Sequence, residues 1–312
     1  MGTRTLLKPS AIGVDAGISV VAPASFARQE RITQGMERLR AIGFAPQFAQ
    51  NVLARGPLFF AGTPEQRVAD MQAAFADPET HAVMSLRGGY GSNYLLNAID
   101  FDLFRAHPKP FFAYSDLTGL QLHLLDKLGL PAFHGPMLAA DFYLEDGVHL
   151  PSFQAAIAGE PYGVGPTEGL RPLKAGTATG TLYGGCLSIL VAMLGTPWEP
   201  QTEGKLLFFE DVGAKPYQID RMLWQLRKAG KLEGVPGIVF GEMLDCISPG
   251  ADPDLLDKTI MSALDDFAGP IAIGLRSGHV SRQNVTLTFG VSADLEVTEE
   301  VELKLLEAAV KR

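Results

Sequence analysis

From Ile18 onward the chain alternates short apolar runs with longer amphipathic stretches, and that rhythm confines it to few architectures. Ile18 to Pro23 forms a β-like run, after which Ile32, Met36, Leu39 and Ile42 recur at three- and four-residue spacing on one helical face. Thr63 and Pro64 then join an N-capping residue to a first-turn proline, opening a helix whose Val68, Met71, Ala74 and Phe75 share a face. The next apolar run, Ala82 to Leu86, repeats the strand signal. Strands separated by helices cannot pair as hairpins, so the expected product is a mostly parallel sheet covered by helices.

Two phrases stand where strands of such a sheet end. Ala82 to Leu86 runs into Arg87-Gly88-Gly89-Tyr90-Gly91-Ser92-Asn93, and Lys109 to Tyr114 runs into Ser115-Asp116-Leu117-Thr118, where Leu117, Leu120, Leu124 and Leu125 mark a helix. Ligands of open α/β sheets bind outside the carboxyl ends of strands, so the two loops are expected to face one crevice. A strand-to-helix turn can hold a serine hydroxyl out of the sheet while neighbouring backbone N–H groups receive an oxyanion. Ser115 is the candidate nucleophile, and the glycine phrase with the N–H of Asp116 at a helix start is the candidate donor pocket. Plainer readings compete: Ser115 is also a good N-cap, and the glycine phrase a turn needing positive φ. Arg87, by charge and location, is a candidate for binding a substrate carboxylate or for bracing its loop.

A serine hydroxyl needs a base, and six histidines are available. His279 follows the strand-like run Pro270 to Gly274 on a loop, His134 ends another apolar run, and His123 lies inside an apolar helix pattern that suits a packed or surface role. A carboxylate leaving an apolar strand would orient the imidazole, and Phe208-Phe209-Glu210-Asp211 offers two. Periodicity does not choose between Glu210 and Asp211, since adjacent strand side chains point to opposite faces.

Composition narrows the class. The 312 residues, 46% of them hydrophobic, suit a sizeable core and, at roughly 150 residues per domain, two domains. With 26 Lys and Arg against 35 Asp and Glu and no basic run interleaved with aromatics, nucleic acid is not an expected partner. Two cysteines, Cys186 and Cys246, form neither a disulfide framework nor a CxxC pair. No HExxH-type metal motif is present, and neither metal nor cofactor is expected. Met1 to Ala11 lacks the apolar core of a signal peptide, and no stretch approaches the roughly 20 apolar residues of a membrane helix, so a soluble, cytoplasmic protein is expected. A Gly-, Pro- and Thr-rich stretch sets the expected division: residues 1–158, a linker over 159–178, and a second domain over 179–312.

Taken in order, Arg87-Gly88-Gly89-Tyr90-Gly91, Tyr114-Ser115-Asp116-Leu117-Thr118, His134-Gly135-Pro136-Met137, Glu210-Asp211-Val212-Gly213 with Lys215-Pro216-Tyr217 and Asp220-Arg221, and Gly278-His279 resemble the LD-carboxypeptidase family of serine peptidases along nearly the whole chain. The resemblance implies Ser115 as nucleophile, Glu210 as triad acid, His279 as general base, and the N–H groups of Gly89 and Asp116 as oxyanion hole. It implies an N-terminal flavodoxin-like α/β domain bearing the serine and a smaller β-rich C-terminal domain bearing Glu210 and His279, commonly in homodimers. The activity implied is cytoplasmic removal of the terminal D-alanine from murein tetrapeptide in cell-wall recycling. A related branch hydrolyses microcin-type peptide nucleotides and gives self-immunity. The other alternative is a non-catalytic ligand-binding protein using the same interdomain crevice. Two positions depart from the family pattern: Ala113 where glycine is common before the Tyr-Ser-Asp phrase, and Cys186 where asparagine is common. Neither is one of the implied catalytic groups; Cys186 reads as a buried packing residue.

Overall fold

The computed structural model describes residues 5–312, and the chain divides into two compact units. The first contains residues up to Glu160 together with Arg282–Gly290 and Ala308–Arg312; the second contains Pro161–Ser281 and Val291–Glu307. Among the described residues no helix is long and apolar enough to cross a membrane.

The first unit is built as the βα rhythm requires. β1 (Gly17–Val21), α1 (Gln29–Ala41), β2 (Ala45–Phe48), α2 (Pro64–Ala76), β3 (Ala82–Ser85), α3 (Phe101–Ala106), β4 (Phe111–Ala113), α4 (Thr118–Leu128), β5 (Ala132–His134) and α5 (Leu150–Ala158) follow one another. The five strands are parallel in the order 2-1-3-4-5, the doubly wound flavodoxin-like arrangement. Their faces are apolar on both sides, with Ile18, Val20, Val83, Met84 and Phe112 all fully buried, as a sheet covered by helices demands. α2 begins where the sequence places it: the Thr63 hydroxyl accepts from the Gln66 N–H, and the Gln66 side chain accepts from the Thr63 N–H. A sixth strand, Leu287–Phe289, arrives from far down the chain and pairs antiparallel with β5, Leu287 opposite His134.

The second unit holds an eight-stranded mixed sheet. Its elements are β6 (Tyr162–Val164), β7 (Arg171–Lys174), β8 (Gly176–Cys186), α6 (Leu187–Ala192), β9 (Lys205–Glu210), α7 (Pro216–Lys228), β10 (Ile238–Gly241), α8 (Leu255–Ala263) and β11 (Ile271–Leu275). The strand Leu287–Phe289 already met is β12, and β13 (Ser292–Val297) and β14 (Val301–Leu305) complete the set. The order is 6-14-13-8-9-10-11-7, parallel from β8 to β11 and antiparallel towards both edges. The stretch expected as a linker, 159–178, carries β6 and β7, which close the two edges of this sheet. Edge strands tolerate the residues that read as a linker: Pro172 lacks an N–H that only an interior position would need, and Gly163 packs little.

Candidate active site

Ser115 sits at the turn between β4 and α4 with φ of +64°, a left-handed conformation that a non-glycine residue adopts only under constraint. The N-cap reading does not hold, because neither the short 3-10 turn Ser115–Leu117 nor α4 has a side-chain cap. Such a turn lifts the hydroxyl off the sheet, and Ser115 is only partly buried. Gly88 lies against it: a Cβ there would stand 2.8 Å from the Ser115 Cβ and 3.0 Å from its Oγ, so the approach of the two loops requires glycine.

The two loops are tied to one another by Asp116. Its carboxylate accepts from the Ser92 N–H at 2.8 Å, and its carbonyl accepts from the Ser92 hydroxyl at 2.6 Å. The glycine loop is further held by Ser25, whose hydroxyl accepts from the Tyr90 N–H at 3.2 Å. Beneath it lies Arg67, 2% exposed, donating to the carbonyls of Pro23 and Gly91 at 2.9 Å each. Burial lowers the pKa of this guanidinium and the Asp116 carboxylate opposes that shift. Against this bracing, the N–H groups of Gly89 and Asp116 donate to no acceptor among the described residues. Unengaged donors beside an elbow serine are what an incoming oxyanion would need.

The second unit supplies a carboxylate–imidazole pair. Glu210 ends β9 fully buried; its Oε2 lies 2.7 Å from His279 Nδ1 and accepts from the His279 N–H at 3.0 Å. A carboxylate only accepts, so Nδ1 carries the proton and Nε2 is left with its lone pair, the tautomer a general base requires. Gly278, at φ of +90°, makes this contact possible, since a Cβ there would fall 2.5 Å from the Glu210 carboxyl carbon. Asp211, the neighbouring carboxylate, is turned to α6 instead, where it accepts from the N–H of Ser188 in the first turn at 2.8 Å. Burial raises its pKa, and the Ser188 N–H works in the opposite direction.

The remaining candidates from the sequence take other positions. His134 is fully buried, its ring 5.1 Å from that of Phe289 and 5.8 Å from that of Tyr114, a core position rather than a loop. His123 is packed on α4 against Phe101, and burial, with Lys127 nearby, pushes its pKa down to about 4. Cys186 is buried, and that burial, with Glu210 and Asp211 adding to it, raises its thiol pKa well above the ordinary value, so it is no thiolate nucleophile. Arg87 is exposed and lines a cavity of about 180 Å³ with Ala27, Arg28, Arg31 and Ala139. Sequence reasoning missed Arg28 and Arg31, although their three-residue spacing at a helix start was a readable signal. It also missed Arg67, which sits in the α2 pattern as an ordinary charged residue.

A doubly wound parallel sheet with a strained serine at a strand end, followed in the chain by a mixed sheet with a buried Glu–His pair, defines a two-unit α/β protein of hydrolase type. Family models agree in detail: the LD-carboxypeptidase N-terminal domain matches residues 18–135 and the C-terminal domain matches 179–295. The chain belongs to the LD-carboxypeptidase family. It is 34% identical to a probable murein peptide carboxypeptidase of Bacillus subtilis, over 97% of each chain. The crystal structure of muramoyltetrapeptide carboxypeptidase from Oxalobacter formigenes is similar at a TM-score of 0.83 and 28% identity, covering 94% of this chain and 99% of that one. An MccF-like protein from Bacillus anthracis strain Ames is similar at a TM-score of 0.88 and 26% identity, covering 96% and 99%.

Proposed function

We propose that the protein is a serine LD-carboxypeptidase that removes the terminal D-alanine from murein tetrapeptide, with Ser115, Glu210 and His279 acting together as its triad. The observation that carries the reading is the left-handed backbone of Ser115 in a turn that caps nothing. His279 Nε2 takes the Ser115 proton as the oxygen attacks the carbonyl carbon before D-alanine, and the N–H groups of Gly89 and Asp116 hold the resulting oxyanion. The imidazolium, steadied by Glu210, returns the proton to the departing amine. Water then attacks the acyl-enzyme by the same route, releasing tripeptide and free serine. Arg87 serves the substrate carboxylate. The reading places the enzyme in the cytoplasm, in keeping with only two cysteines, both buried, in 312 residues, and makes it a homodimer, which sedimentation of the purified protein checks.

Mass spectrometry of tetrapeptide incubated with purified protein tests the reaction. Loss of one alanine from the wild type, absent with Ser115→Ala, is the expected result. A marked preference for a microcin-type peptide nucleotide in a parallel assay would move the protein to the MccF-like branch. Binding of tetrapeptide without cleavage would make it a non-catalytic receptor.

A further inference from the structure

The cavity of about 180 Å³ beside the glycine loop has an unusual lining for a chain of net charge −9: three arginines, Arg28, Arg31 and Arg87, with Ala27 and Ala139, and no carboxylate. None of the three guanidinium groups makes a salt bridge or hydrogen bond among the described residues. Arg31 instead lies over the Tyr143 ring, 4.3 Å from its centroid, which fixes the plane of its guanidinium without neutralising it. Arginines gathered without acids repel one another, and such a cluster is retained where an anion completes it.

Its place in the fold is equally specific. Ala27 and Arg28 end the loop after β1, Arg87 begins the loop after β3, and β1 and β3 are the neighbours from which the sheet winds in opposite directions. That crevice is the topological switch point, where doubly wound sheets hold their ligands. Ala139, also in the lining, is tied to the chain just after β3 by its N–H, which donates to the Leu86 carbonyl at 2.8 Å. Arg28 precedes the thirteen-residue α1 and leaves its first N–H groups without a side-chain cap, so the helix end adds to the positive potential. Arg87 adjoins Gly88, which is in turn packed against Ser115, so the loop that lines the cavity lies against the turn that carries the nucleophile.

We infer that Arg28, Arg31 and Arg87 form a carboxylate subsite that receives the free C-terminal carboxylate of the departing residue and so makes the enzyme an exopeptidase. This rests on the carboxypeptidase reading above. A scissile carbonyl held at Gly89 and Asp116 leaves a terminal carboxylate only three bonds further along the chain, within reach of a loop residue next to Gly88. A peptide extended beyond that point, or capped as an amide, would place an uncharged group among three cations and lose their charge-assisted hydrogen bonds.

The test is the hydrolysis of tetrapeptide and of its C-terminal amide by the wild type and by Arg28→Ala, Arg31→Ala and Arg31→Lys. The wild type is expected to favour the free acid by roughly 100-fold in kcat/KM, the alanine variants to lower that preference about tenfold or more, chiefly through KM, and Arg31→Lys to recover part of it. An active wild type whose preference is unchanged in every variant would overturn the subsite alone. A wild type inert on both peptides would overturn the carboxypeptidase reading, and the subsite with it.

Discussion

Ser115 holds its position at a cost in backbone strain of about 1–3 kcal/mol, and that cost is measurable apart from catalysis. Ser115→Ala keeps the strain and loses the hydroxyl; Ser115→Gly loses both. Both variants are expected to lower kcat by about 1000-fold or more, whereas in urea titrations the glycine variant should be more stable than the alanine variant by about 1 kcal/mol. Equal stability would mean that the turn is not strained. His123 offers a second residue-scale test. Its folded pKa of about 4 lies below the unfolded value near 6.5, so the unfolded chain binds the proton more readily and stability falls as pH drops from about 6.5 towards 4. This group contributes a loss of about 3 kcal/mol across that window, and His123→Leu is expected to flatten the corresponding part of a stability-against-pH curve. At this scale the sequence is only partly readable. The elbow phrase is visible because its residues are contiguous, but the choice between Glu210 and Asp211 depends on a partner 69 positions away, which no local pattern contains.

Helices and strands are more legible in the sequence than the loops that lock them. The capping residues of α2 and the apolar stripe of α1 are local chemistry, and both stand as the sequence implies. Arg67 shows the limit. On a helical wheel it is one charge among several, yet packing buries it under the glycine loop, where two carbonyls depend on it. Arg67→Met would leave those carbonyls unpaired and the buried Asp116 without its compensating charge, and is expected to destabilise the first unit by about 3–5 kcal/mol in thermal or denaturant unfolding. β6 and β7 are hidden for the converse reason: a short edge strand with proline and glycine has the composition of a linker, and only its neighbours make it a strand.

For the molecule as a whole, the βα rhythm announces the doubly wound sheet but not its last strand. β12 is a short alternating run near the end of the chain, and nothing in its sequence says that it belongs beside β5, about 150 residues earlier. Its return brings Asn284, which donates to Asp141 at 3.1 Å, while the Asp141 carboxylate also accepts from the Tyr114 hydroxyl and the Met137 N–H. A fragment ending at Glu160 would lack both the edge strand and that buried bond. It is expected to show no cooperative thermal transition alone, and to gain one when residues 282–312 are supplied as a separate peptide, monitored by circular dichroism.

The same late strand sets an order of events on the ribosome. β1 to β5 emerge long before Leu287, so the sheet that carries the serine must wait, with β5 as an open edge, while Pro161–Ser281 of the second unit is synthesised. A polypeptide stalled in that interval presents one edge of Ala132, Phe133 and His134 without its partner strand, the kind of surface on which other chains can pair. Until β12 is made, that edge is open to pairing with another chain.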